Sequence, residues 1–141
     1  MAVMQKERVM PLSKLLQAGL IGGAIGAIGS FVVYFIGKAM GIPFEIMPPG
    51  ATELDALPVV MIAVANVVPG LIAGGVLALL ARFVAQPVRI FQIISLIFLI
   101  VSFASPFTQP AEVTMGTKLA LNLMHIVAAG GIVWSLTMRE S

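Results

Sequence analysis

The chain has one histidine, His125, and no cysteine. These two facts limit the chemistry it can host. Without a thiol there is no disulfide, no thiolate nucleophile and no cysteine-ligated metal. A lone imidazole cannot build a multi-histidine metal site. His125 lies in a long apolar run, and Asn122 precedes it by three residues, so both project from one face of a helix. Polar side chains inside a bilayer are costly and point by default to function. Asn66 and Ser30, in two other apolar runs, fall at a similar depth, with Ser102 a further candidate. His125, Asn66, Asn122 and Ser30 therefore form a candidate polar layer. Such a layer can hold a proton or a ligand. It can equally be hydrogen-bond glue, worth ~0.6 kcal/mol per contact on average. Asn66 is the first expected partner of His125, and Ser30 the second. Paired intramembrane carboxylates, a phosphate loop and a Ser/His/acid set are missing from the sequence. No enzyme activity, cofactor or metal is expected.

The second chemical feature is glycine spacing. Gly19 and Gly23 make one G-x-x-x-G, and Gly22 and Gly26 make another, extended by Ala18 and Ser30. Gly29 adds a further small residue. Gly70 and Gly74 repeat the spacing in the second apolar run. Small residues four apart leave a flat strip on which another backbone can approach closely. The spacing predicts close packing, either within the bundle or against a second chain. Pro69, beside Gly70, removes a backbone hydrogen bond and crowds the Ala65 carbonyl, so a kink is expected there.

The elements that carry these residues follow from composition. Of the 141 residues, 60% are hydrophobic and 10% charged. Soluble domains run at about 45–50% and about 25%. The chain cannot cover a water-soluble globule, and its mean hydropathy of +1.09 agrees. Four apolar runs, 15–36, 57–81, 88–104 and 119–136, are candidate spans. Each is near the ~20 residues a helix needs to cross hydrocarbon. They lack the alternation of barrel strands. The first run exceeds the about 7–15 residues of a signal-peptide core, so a retained span is expected. The fold expected is an all-α four-helix transmembrane bundle in one domain, residues 1–141.

The connections add detail. The link at 82–87 is short, which makes the second and third spans antiparallel neighbours, and Pro87 suits a first helical turn. The connection at 37–56 contains Pro43, Pro48, Pro49 and Gly50, so it is not a continuous helix. Thr52 and Asp55 are expected to cap the second span, with Pro58 in its first turn, and Thr114 to cap the fourth. Orientation follows from basic residues. With the N-terminus inside, Lys6, Arg8, Lys14, Arg82, Arg89 and Arg139 are cytoplasmic, and only Lys38 and Lys118 lie outside. This is the bias of the positive-inside rule, so both termini are expected inside. The net charge of +2 is spread along the chain and makes no nucleic-acid patch.

The stretch from Leu119 to Ala129, with Leu123-Met124-His125 at its centre, resembles the last helix of a family of small bacterial four-span membrane proteins. That family is catalogued only as a domain of unknown function. Ser102-Phe103-Ala104-Ser105-Pro106 is similar to the end of its third helix. The resemblance covers residues 57–136, with the first span matching in general character. It implies a four-helix membrane fold in a bacterial inner membrane and a histidine at position 125, and it supplies no reading of activity. Three functions are then open. The leading one is an accessory or structural subunit of a larger membrane complex, meeting other membrane subunits or a second copy within the bilayer. The others are an oligomeric small-solute or ion transporter or channel, and a binding protein for a lipid-soluble ligand such as a quinone or pigment.

Overall fold

A computed structural model describes residues 8–138. Lys6, Glu7, Arg139 and Glu140, which entered the charge argument, lie outside the described residues. The elements are α1 (Leu12–Ala39), β1 (Glu45–Ile46), β2 (Asp55–Ala56), α2 (Val59–Phe83), α3 (Pro87–Ser102), α4 (Ala104–Phe107) and α5 (Met115–Thr137). α1, α2, α5 and the stretch Pro87–Phe107 are each long and apolar enough to cross a membrane. The protein is a four-helix membrane bundle.

α1 is the spine of this bundle, and its glycines decide how. Gly19 lies against the backbone of Gly70, and a Cβ on Gly23 would meet the Val67 Cα at 2.8 Å. Gly74 lies against Leu15. Residues rising along α1 therefore pair with residues falling along α2, and the two helices are antiparallel. The other strip meets α5. A Cβ on Gly22 would stand 2.8 Å from the Ile132 Cα, and one on Gly26 3.0 Å from the Ala128 Cα. Gly29 meets the Val127 side chain. The two interleaved motifs thus seat α1 between α2 and α5. Ser135 adds a hydrogen bond, its hydroxyl donating to the Ala18 carbonyl at 2.7 Å.

α3 is held more lightly. Only Pro87 and Phe91 on it are buried. Phe91 joins Leu15, Leu77, Ile132 and Leu136 in one apolar cluster at the end of the bundle where α1 begins. The rest of α3 presents Ile93, Ile97, Phe98 and Val101 outward. α2 continues through Pro69 as one helix, with the proline on an exposed face. α3 ends where the Ser102 hydroxyl donates to the Leu99 carbonyl at 2.7 Å. Such bonds back to the preceding turn compete with the helix ladder and bend it. α4 then resumes the same path for one turn.

At the far end, the connection between α1 and α2 folds over the bundle. β1 and β2 pair antiparallel, Glu45 with Ala56 and Ile46 with Asp55. Phe44 is fully buried, with its ring centroid 4.8 Å from that of Tyr34. Its backbone is left-handed, φ 50°, a conformation costing roughly 1–2 kcal/mol for a residue with a Cβ. Burying the ring, of order 1.5–3 kcal/mol, offsets that. The ring rests on Gly37, where a Cβ would lie 2.8 Å from it. Met47 N–H donates to the Gln109 side chain at 2.8 Å and ties this connection to the one before α5.

Two caps differ from expectation. Thr52 and Asp55 do not cap α2. Pro58 is its N-cap residue, without a side-chain cap bond. The β-ladder keeps the chain extended through Ala56, and the Asp55 carboxylate accepts from Ala56 N–H instead. Thr114 does cap α5, accepting from Thr117 N–H at 3.2 Å.

These contacts predict a graded response to methyl groups. Gly23→Ala puts a Cβ against backbone that cannot move aside and should lower stability by about 1–3 kcal/mol. Gly75→Ala, where a Cβ would meet nothing within 4 Å, should change it by less than about 0.5 kcal/mol. Denaturant titration in mixed micelles checks this. Equal effects at the two positions would remove close packing as the cause.

Candidate functional site

Counting turns from the apolar cluster gives a nominal depth for the members of the candidate polar layer. Leu15, Leu77, Phe91 and Leu136 meet there, one from each spanning helix. α1 and α3 leave that end, while α2 and α5 arrive at it. Eleven residues make about three helical turns, ~16 Å, and return to nearly the same face. Eleven residues along each helix from the cluster stand Gly26, Asn66, Ser102 and His125. The close contacts shift that register: Gly23 rests on Asn66 and Val67, and Gly26 on Ala128, so Asn66 lies about level with Gly23 and His125 about one turn farther from the cluster than Gly26. Ser30 is one turn beyond Gly26, and Asn122 nearly one turn beyond His125.

Asn66 is the best-held member, at 4% exposure. Its Nδ2 donates to the Ile62 carbonyl at 2.8 Å and to the Ser30 hydroxyl at 3.3 Å. A carbonyl only accepts, so the amide nitrogen must face Ile62. This fixes the amide orientation. Oδ1 then points at Gly26, where a side chain would collide with it. Ser30 itself is fully buried.

His125 is not bonded to Asn66 or Ser30. Asn66 spends its amide hydrogens on Ile62 and Ser30, and His125 shares the face of α5 that leads to Ile132 and Leu136. Nδ1 is buried and reaches no hydrogen-bond geometry. Asn122 Oδ1 and Asn66 Oδ1 are likewise buried without a partner. The layer therefore contains one closed pair, Asn66–Ser30, and three unpaired polar atoms on Asn66, Asn122 and His125. Buried polar atoms of this kind normally find a partner. Among the described residues no group of three His, Cys, Asp or Glu is placed to hold a metal ion.

Residues that the sequence reading left out also shape this region. Ala128 and Gly131 supply the α5 surface on which Gly26 and Gly22 rest. Gly131 and Ser135 are four apart, a spacing that could have marked them. Phe44 and Gln109 carried no such signal, because their partners come from distant loops.

The Asn66–Ser30 bond should couple modestly. In a double-mutant cycle of Asn66→Ala with Ser30→Ala, a coupling of about 0.6 kcal/mol is expected, the average for such bonds in membranes. His125→Leu with Ser30→Ala should be additive, since no bond joins them. Coupling in the second cycle that matches the first would mean His125 engages Ser30 directly.

No curated protein and no solved structure matches the chain. One family model matches residues 11–141, which takes in the first span as well as the last three. The four apolar helices and this near-complete match place the protein in the family of unknown function DUF6069.

Proposed function

We propose that the chain is an accessory or structural subunit of a larger membrane assembly in a bacterial inner membrane, with both termini cytoplasmic. The observation that carries this reading is α3. It buries only two of its residues within its own chain, yet its inward stripe includes Gln92, Ser95 and Ser102, all half-buried. A span so lightly held, with its outer face exposed, suits a helix that completes its packing against another subunit. The glycine strips of α1 no longer argue for a partner, since α2 and α5 occupy them.

A second reading is favoured by the unpaired atoms of Asn66, Asn122 and His125. On this reading the polar layer binds a lipid-soluble ligand or passes a small solute, and its unpaired acceptors meet donors on that guest. Orientation rests on charge. Among the described residues, the end where α1 begins holds Arg8, Lys14, Arg82 and Arg89 and no acid. The other end holds Lys38 and Lys118 with Glu45, Glu53, Asp55 and Glu112. That asymmetry supports an inner position for the first end.

Two experiments test this. Purification in a mild detergent, with mass spectrometry of proteins and extracted small molecules, should return a protein partner in constant ratio. A constant small molecule without a protein partner would favour the second reading instead. Single cysteines at Thr52, Thr108 and Gln86 test orientation in intact cells with an impermeant thiol reagent. Thr52→Cys and Thr108→Cys should label, and Gln86→Cys should not. The reverse pattern overturns the topology.

A further inference from the structure

A groove opens on the lipid-facing surface at the basic end of the bundle. Val9, Met10, Pro11 and Leu12 form one wall, and Gly75, Ala78, Leu79, Ala81 and Arg82 the other. Its floor is small-residue backbone. A Cβ on Gly75 would meet nothing within 4 Å, so the groove is open at that depth. Leu12 and Leu79, at 50% and 57% exposure, stand on its outer rim. Arg82, in the last turn of α2, stands at the mouth. It is exposed, and no acid among the described residues lies at this end to pair with it. Gly75 is seven residues before Arg82, about 10 Å deeper along the helix.

We propose that this groove is a seat for an anionic phospholipid. The Arg82 guanidinium takes the headgroup phosphate, and one acyl chain lies along Ala78, Leu79 and Gly75. The two parts of the groove match the two parts of the molecule. A guanidinium offers a planar fork of donors that fits phosphate, and the apolar channel below it has the length of an upper acyl segment. Arg8 and Lys14 flank the same mouth in sequence and add to its positive field. Basic pockets on the cytoplasmic side of membrane helices hold anionic headgroups by the same logic. A diffuse surface charge would attract such lipids without needing the channel. The open space at Gly75 is what makes this a seat.

The experiment uses the full chain in micelles containing equal amounts of phosphatidylglycerol and phosphatidylcholine, with retained lipid counted by native mass spectrometry. The wild-type chain should retain phosphatidylglycerol preferentially. Arg82→Gln should cut that preference about fivefold, the weight of one basic residue at a membrane surface. Arg89→Gln, the neighbouring cation outside the groove, should leave it unchanged. Gly75→Leu should lower retention of both lipids by filling the channel, and Gly75→Ala should do so to a smaller extent. The smaller variant guards against misfolding of the larger one. Equal losses from Arg82→Gln and Arg89→Gln would overturn the seat in favour of diffuse charge. Unchanged retention in both Gly75 variants would also overturn it, as would displacement of the lipid by inorganic phosphate alone. A change in dimer population with Gly75→Leu, without a change in lipid, would assign the groove to a second copy.

Discussion

Close approach of backbones along α1 is the constraint on which the rest of the bundle depends. In lipid, apolar side chains gain little by leaving one hydrocarbon for another, so helices associate through contact and hydrogen bonds. α1 supplies that contact on two sides at once. Gly19 and Gly23 admit α2, while Gly22, Gly26 and Gly29 admit α5. Gly70, Gly74 and Gly131 answer from the partner helices. Any side chain at these positions would push the helices apart and open the buried seams that hold Asn66, Ser30 and Ser135. The Asn66–Ser30 bond and the Ser135–Ala18 bond exist because glycine has already brought those backbones together.

That dependence explains what could be read in advance. The four spans were legible because crossing hydrocarbon demands length and apolarity, which are local properties. The structure lengthens the first and last by a few residues, as for Met115–Thr137 against an apolar run of 119–136, and shifts the second by two to Val59–Phe83. The spacing of small residues marked the positions on α1 where something comes close. It did not mark which helix fills each side, because that depends on tertiary arrangement and both strips have the same composition. The cap of α5 at Thr114 was legible from local chemistry. The expected caps at Thr52 and Asp55 failed because a long-range pairing of Glu45 with Ala56 holds that segment extended.

The candidate layer shows the same division. Position along each run gave only a nominal depth: the contacts set Asn66 level with Gly23, and His125 about one turn beyond Gly26, which rests on Ala128. Hydrogen-bond partners could not be read the same way. Asn66 is drawn to its own helix and to Ser30, both within reach of the face that meets α1. His125 occupies the adjoining face, where Asn122 Oδ1 and its own Nδ1 remain buried and unpaired. The loop that covers the opposite end, with Phe44 seated on Gly37, was invisible to any pattern because it is set by one aromatic ring and one missing Cβ.

Cross-linking between α1 and α5 tests the central claim most directly, and the chain helps by having no native cysteine. Ala18→Cys combined with Ser135→Cys joins the two positions linked by the Ser135 hydrogen bond. Mild oxidation in native membranes should give a bridge within one chain, seen as a monomer whose mobility shifts on reduction. Dimers as the main oxidised product would contradict the account, because α1 would then be packing against another copy and not against its own α5.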